Sequence, residues 1–347
     1  MKQINTALCS FGMSGWVFHA PFISAHPGFN FYGVWERTKN LAQEKYPGVK
    51  TFRTLEELLA DKNIELVVVN TPSVTHYDYT KQVLNAGKHV IVEKPFTATV
   101  DQAEELIKLA KKKNLKLSVY QNRRYDSDYK TVKKVLGDNL LGEIVDVEIR
   151  YDRYVPELSY KAHKETPTPA VGCLYDLGSH LIDQALMLFG MPLAVFADIT
   201  INRPNAKVDD YFDLKLFYPS HRVTLRSSYY VREPMPGYQL HGKKGSLIKH
   251  KTDVQETDLQ ANKKPGGDDW GREPESQNGL LHTEVDGKII RQNIPSLQGN
   301  YGEYYNGIYK AITENVEMPV TGEEGMNVIK IIEAATLSNK EKRVIEL

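Results

Sequence analysis

Three ionisable side chains recur at i, i+4 and i+7 in the run Gly172-Cys173-Leu174-Tyr175-Asp176-Leu177-Gly178-Ser179-His180-Leu181-Ile182-Asp183. If the run is helical, Asp176, His180 and Asp183 share one stripe, while Leu177, Leu181, Ile182, Ala185, Leu186 and Phe189 make the other faces apolar. An imidazole changes charge near neutrality, so His180 suits proton transfer, and Asp176 one turn earlier suits orienting it or a substrate. The simpler reading is a core histidine satisfied by a neighbouring carboxylate. Two carboxylates and one imidazole on one helix lack a fourth ligand of evident spacing, so no metal is expected.

A second group is Val92-Glu93-Lys94-Pro95, at the end of an apolar run. Ligands of doubly wound sheets bind at the carboxyl ends of the strands, and Pro95 holds Lys94 to an extended backbone. An ammonium leaving the sheet there can stabilise a developing alkoxide. Asn70-Thr71-Pro72 ends the preceding apolar run, giving two such strand ends that could flank one ligand.

The third group is Ser10-Phe11-Gly12-Met13-Ser14-Gly15, which matches G-x-G-x-x-G except that Ser10 takes the first glycine's place. The motif turns the chain tightly, lets the backbone approach a pyrophosphate and aims helix N-terminal amides at it. Ser10 can make that turn only at negative φ. About 20 residues further on stands Glu36, where an acidic residue would bond the adenosine ribose hydroxyls. Arg37 and Lys39 follow, and a guanidinium there would instead grip a 2′-phosphate. A dinucleotide is expected, with NADP and NAD both open and NADP slightly ahead.

The elements that must position these groups are legible as periodicity. Short runs at Ile4–Cys9, Phe29–Trp35, Glu65–Asn70, Lys88–Glu93 and Lys116–Tyr120 read as strands, several apolar without alternation as in a sheet buried on both faces. Helical patterns at Thr38–Lys45, Thr54–Ala60, Ser73–Ala86 and Thr99–Lys113 lie between them, the signature of βαβ units around a parallel sheet. Beyond about residue 121, alternating strands at Ile144–Tyr151, Val195–Ile201, Phe212–Phe217, Val223–Tyr230 and Ile289–Ile294 point to an antiparallel sheet with helices on one face. Gln255–Gly279 reads as a long polar loop, and Tyr304–Asn315 and Gly325–Lys340 as closing helices. The expected fold is an α/β Rossmann domain over residues 1–120 and an α+β domain over 121–347 with a large, mostly antiparallel open sheet. The C-terminal helices are free in this reading to pack back on the first domain.

Composition narrows the function. The 347 residues carry 44 Lys+Arg against 44 Asp+Glu, so no basic surplus favours nucleic acid or an anionic membrane. No apolar run reaches membrane-spanning length, and the apolar stretch within residues 1–15 is broken at once by Gly and Ser, unlike a signal peptide. Two cysteines, Cys9 and Cys173, make no disulfide framework, and the cytoplasm is the expected compartment.

Together, the glycine loop, E-K-P and D-x-G-x-H-x-x-D resemble the Gfo/Idh/MocA family, the glucose–fructose oxidoreductase and inositol dehydrogenase relatives. The likeness runs over nearly the whole chain. It includes Phe18-His19-Ala20-Pro21, Gln121-Asn122-Arg123-Arg124, Tyr151-Asp152-Arg153-Tyr154 and His241-Gly242-Lys243-Lys244-Gly245-Ser246. These look like the branch that holds NADP-dependent scyllo-inositol dehydrogenase. The resemblance implies Lys94, Asp176 and His180 as catalytic residues. It implies cofactor contacts from Ser10, Gly12, Met13, Ser14, Gly15, Glu36, Arg37, Asn70, Thr71, Pro72, His76, Glu93 and Lys94. Asn122, Arg124 and Tyr154 join Lys94, Asp176 and His180 as implied substrate contacts.

The implied activity is hydride transfer between a nicotinamide and a secondary alcohol of a sugar, inositol or related polyol. Such a reaction needs a base for the hydroxyl proton. Spacing alone leaves Lys94 and His180 both open for that role, and His180 is preferred. Two other readings stay open in the family: an NAD-dependent glycoside hydrolase and a non-enzymatic dinucleotide-sensing regulator. A second-domain sheet with one uncovered face is expected to expose apolar surface and to form a homodimer or homotetramer.

Overall fold

The computed structural model describes residues 2–347. The chain forms two compact units. The first contains the chain up to Asn122 together with Gln255–Trp270 and Asn300–Met326; the second contains Arg123–Val254, Gly271–Gly299 and Asn327–Leu347. The chain thus enters each unit more than once.

The first unit carries six strands, β1 (Ile4–Leu8), β2 (Phe29–Trp35), β3 (Lys50–Phe52), β4 (Leu66–Val69), β5 (His89–Glu93) and β6 (Leu117–Tyr120). They pair in parallel in the order β3-β2-β1-β4-β5-β6. This is the doubly wound order, and its crevice opens at the carboxyl ends of β1 and β4, where the winding reverses. Leu66–Val69 and Val90–Val92 are fully buried, which explains why these strands show no polar alternation. Only β3, at three residues, has no sequence signal of its own. The helix Val100–Lys112 follows from its residues: Thr99 caps it by accepting the Gln102 amide, Asp101 lies in the first turn and Lys111 and Lys112 in the last. Its Ala103, Leu106, Ile107 and Ala110 are buried, as their spacing requires.

Gln255–Gly279, expected as loop throughout, opens with the helix Gln255–Gln260. Gln255 is fully buried, and its Oε1 accepts the Trp270 indole N–H at 3.2 Å and the Tyr301 amide at 2.8 Å. One buried amide joins three segments there, which no local pattern announces.

The second unit is built on nine strands: β7 (Ile144–Arg150), β8 (Ala194–Thr200), β9 (Tyr211–Phe217), β10 (Arg222–Ser228), β11 (Tyr238–Gly242), β12 (Gly245–Lys249), β13 (Gly279–Val285), β14 (Lys288–Ile294) and β15 (Ile345–Glu346). Their order is β14-β13-β12-β11-β7-β10-β9-β8-β15, antiparallel except for the β7–β10 pair. Val147, Ile149, Leu214, Leu216, Val223 and Leu225 form the buried face. The opposite face, expected to be apolar, is mixed, with Phe196 exposed on β8. It carries a ladder of charge, with Arg150 on Glu148 at 2.9 Å and on Asp152 at 2.7 Å, and Arg226 on Asp213. The Arg226–Asp213 pair joins the neighbouring strands β10 and β9, where opposite charges satisfy one another.

No helix among the described residues is long and apolar enough to cross a membrane.

Candidate active site

The loop after β1 runs into a π-helical turn, Ser14–His19, which continues as the α-helix Ala20–Ala25 with Pro21 in its first turn, where a missing N–H costs least. No residue of this loop has positive φ, so Ser10 takes the glycine's place without strain. Its side chain adds what a glycine cannot. Ser10 Oγ donates to the Asn70 carbonyl at 2.9 Å, its amide donates to Asn70 Oδ1 at 3.0 Å, and Asn70 Nδ2 donates back to the Ser10 carbonyl at 2.9 Å. The loops after β1 and β4 are therefore laced together at the mouth of the crevice. A Cβ on Gly15 would lie 2.4 Å from the Ser10 carbonyl oxygen, so this position admits only glycine. A Cβ on Gly12 would meet nothing closer than Ser10 Oγ at 3.9 Å. The protein does not need Gly12 for its own packing, and the space above it is where a pyrophosphate would approach.

A cleft of about 580 Å³ extends from Ser10 and Gly12 past Glu36, Arg37 and Lys39 to Thr71 and Pro72. It spans the carboxyl ends of β1, β2 and β4, where the adenosine half of a dinucleotide would be held in a doubly wound sheet. Glu36, expected to bond the ribose, has a different occupation. Its Oε1 accepts the Leu41 amide at 3.1 Å and its Oε2 the Ala42 amide at 3.0 Å, and it is 8% exposed. The carboxylate thus satisfies the first amides of the helix Leu41–Lys45, as a capping residue does. Arg37 and Lys39 are exposed, and neither has a carboxylate within ion-pair distance among the described residues. Arg53, which the sequence does not single out, holds their loop: its guanidinium donates to the carbonyls of Glu36 and Lys39 at 2.9 and 2.8 Å and to Asn40 Oδ1 at 2.6 Å.

At the end of β5, Glu93 is buried and Lys94 is half-buried, and the Lys94–Pro95 peptide is cis. Glu93 Oε2 accepts the Lys94 amide at 3.1 Å; its Oε1 accepts Ser14 Oγ and faces His19 Nε2 at 3.0 Å. Burial alone would raise this carboxyl, but His19, Ser14 and the Lys94 charge outweigh it and hold the group below its ordinary range. His76, expected among the cofactor contacts, is instead 1% exposed. Its two ring nitrogens lie 2.7 Å from the Pro95 carbonyl and 2.9 Å from the Thr71 carbonyl, so it bridges the ends of β4 and β5. Thr71 Oγ1 is 2.6 Å from Thr75 Oγ1, Met13 is 40% exposed and Asn122 is buried at the unit's end.

In the second unit the helix carrying Asp176 and His180 is not α-helical throughout. Leu174–Gly178 is a π turn and the α-helix runs over Ser179–Phe189. Such turns recur at functional sites because they re-aim a side chain within a continuous helix. Asp176 is partly exposed with Lys164 Nζ at 3.4 Å, whereas His180 is 5% exposed. Asp183, third on the stripe, belongs to the core: its oxygens receive Arg124 Nε at 2.8 Å and Nη2 at 2.6 Å. Arg124, expected among the substrate contacts, thus gives one edge of its guanidinium to a buried carboxylate. Tyr154 is 42% exposed, with the Arg232 guanidinium 4.0 Å from its ring centre.

Asp209, which no motif marks, starts the π turn. Its Oδ2 accepts the Leu174 amide at 2.7 Å and its carbonyl accepts the Cys173 amide at 2.9 Å. Gly172 has φ +112°, and a Cβ there would fall 1.9 Å from Asp209 Oδ1, so the tight approach requires glycine. Burial pushes the Asp209 carboxyl up to about 6, against the pull of the Leu174 amide and with Asp210 adding to the rise. Between about pH 4 and pH 6 the folded chain then keeps a proton that the unfolded chain has lost, so this group's stabilisation falls as pH rises through that window. Asp209→Asn keeps an acceptor for Leu174 and removes the titration. Its stability relative to the parent is expected to improve by about 1–3 kcal/mol between pH 4 and pH 7. Melting temperatures are compared from pH 4 to pH 7, and a difference between the two proteins that stays constant over that range would show instead that Asp209 titrates normally.

Comparison with known proteins places these motifs in context. Residues 4–121 match the family model "oxidoreductase family, NAD-binding Rossmann fold", and residues 133–347 match "oxidoreductase family, C-terminal alpha/beta domain". The chain is 42% identical, over 100% of its own length and 97% of the relative's, to a scyllo-inositol 2-dehydrogenase (NADP(+)) of Bacillus subtilis. An oxidoreductase structure from Bacillus subtilis superposes with a TM-score of 0.97 at 42% identity, covering 100% of this chain and 99% of that one. One from Bacteroides fragilis gives 0.92 at 47% identity with both chains covered in full.

Proposed function

Because the chain belongs to the Gfo/Idh/MocA oxidoreductase family, with NAD or NADP as cofactor and CH–OH groups as substrates, we propose that it is an NADP-preferring dehydrogenase of a cyclic polyol, with an inositol the first candidate. The observation that carries the polyol reading is the full-length, 42% identical scyllo-inositol 2-dehydrogenase. A bound nicotinamide would supply the hydride acceptor for the carbinol carbon. Everything else falls to side chains of this protein. We assign His180 to take the hydroxyl proton, since a carbinol becomes a ketone only as that proton leaves. Asp176 orients the imidazole or a neighbouring hydroxyl. The Lys94 ammonium holds the reacting oxygen and favours its partly anionic state over the neutral alcohol. Ser10, Gly12 and Gly15 shape the pyrophosphate cradle, and Arg37 and Lys39 supply charge for a 2′-phosphate.

The test is a panel of inositol isomers, hexoses and sugar acids, offered with NADP and with NAD while nicotinamide absorbance is followed. Turnover of an inositol with NADP is the expected result. Glycoside cleavage without net cofactor turnover, or cofactor binding without any turnover across the panel, would replace this reading.

A further inference from the structure

His19 is fully buried beneath the glycine loop, yet both of its ring nitrogens have polar partners. Nε2 lies 3.0 Å from Glu93 Oε1, and Nδ1 lies 2.6 Å from the hydroxyl of Tyr305. Tyr120 packs on the ring at 4.4 Å between centres, and the Tyr120 hydroxyl donates to the Phe18 carbonyl at 2.8 Å, which limits how the ring can turn. One assignment satisfies every member. Glu93 is ionised and accepts from Ser14 Oγ, from the Lys94 amide and from His19 Nε2–H; His19 Nδ1 then accepts the Tyr305 hydroxyl proton. Burial also keeps the Tyr305 phenol well above its ordinary range, so its hydroxyl stays protonated and has a proton to give to Nδ1. The chain Tyr305–His19–Glu93 therefore ends on two points, Ser14 in the glycine loop and the backbone of Lys94.

We propose that His19, held by Tyr305, is a positioning residue that sets Lys94 relative to the glycine loop by fixing the Glu93 carboxylate. The proposal rests on Lys94 being the group that meets the substrate oxygen. With His19 gone, Glu93 loses one of its three donors and the constraint on its rotamer. Ser14 and the Lys94 backbone are then no longer tied through a fixed carboxylate. A buried carboxylate short of a donor draws in water or another donor, and small displacements of a reacting group are costly in rate.

The test uses the full chain with three substitutions. Tyr305→Phe deletes one hydroxyl and keeps the ring; His19→Gln keeps an N–H for Glu93; His19→Ala removes all donors. With the best polyol, kcat is expected to fall about 3- to 10-fold in Tyr305→Phe, the scale of one hydrogen bond. It is expected to fall about 30- to 100-fold in His19→Ala, with His19→Gln recovering at least half of that loss on a logarithmic scale. Polyol KM should stay within about threefold, since the loss lies in the reacting geometry. Two readouts need no polyol. Titration of NADPH fluorescence should show Kd within about threefold in Tyr305→Phe, and nitrogen NMR of the parent should show His19 as the neutral Nε2–H tautomer. Equal kcat in His19→Ala and His19→Gln, an Nδ1–H tautomer, or a kcat in Tyr305→Phe equal to the parent's would overturn the proposal. Failure of every polyol to react would remove the functional reading, while the tautomer would still judge this one.

Discussion

Lys94→Ala is expected to lose about 10²–10⁴ in kcat, the scale of deleting one preorganised electrostatic or acid–base group. The residue leaves the sheet at the carboxyl end of β5, where its amide is bonded to the Glu93 carboxylate and where the next residue is a buried proline. Its backbone is thereby anchored, and an ammonium carried there favours an oxygen that gains negative charge over one that has none. Cofactor affinity should change far less, because the pyrophosphate cradle proposed at Gly12–Gly15 and the cations Arg37 and Lys39 are untouched. His180→Ala should lose rate comparably. The double variant should lose much less than the product of the two, as groups that act as a unit do. Steady-state rates beside a fluorescence titration of cofactor decide the matter. Turnover of Lys94→Ala within about threefold of the parent would end its catalytic assignment.

Arg37→Ala is expected to raise the KM for NADP by about 10- to 150-fold, which is the loss of one charge-assisted contact of about 1.5–3 kcal/mol. The KM for NAD should move by less than about threefold. Occupation of Glu36 sharpens this expectation. The Leu41 and Ala42 amides each occupy one Glu36 oxygen and fix the carboxylate's direction, while Arg37 and Lys39 beside it remain exposed. Arg53 pins the same loop at three points, so the two cations start from an ordered backbone and lose less entropy on meeting a phosphate. An equal rise for both cofactors would show that Arg37 does not read the ribose end.

Much of this protein is written locally. The parallel strands of the first unit are legible because Val, Ile and Leu without alternation suit only a sheet buried on both faces. The helix Val100–Lys112 is legible because cap, stripe and terminal charges agree. The glycine loop, Glu93-Lys94-Pro95 and the Asp176 to His180 spacing could be located for a related reason: each depends on backbone geometry that a few neighbouring residue types must supply. Strands β11 and β12 are not legible because each has only five residues with Gly, Gln, His or Ser among them, and β11 is held on β7 and β12 on β13, both far along the chain.

The sequence by itself determined which residue types stand at the ends of the strands, and hence the kind of chemistry available. Only the tertiary structure decided which of those charges are already spent. Glu36 caps a helix, Arg124 is locked on Asp183, and His76 bridges two carbonyls, whereas Arg37 and Lys39 stay exposed. It also recruited Asp209 to the π turn and brought Tyr305 to His19 across 286 positions. The physical reason is that a buried polar group must find its partner wherever folding places one. Residue type sets what a side chain can do, but its partner, often far along the chain, sets whether it is left to do it.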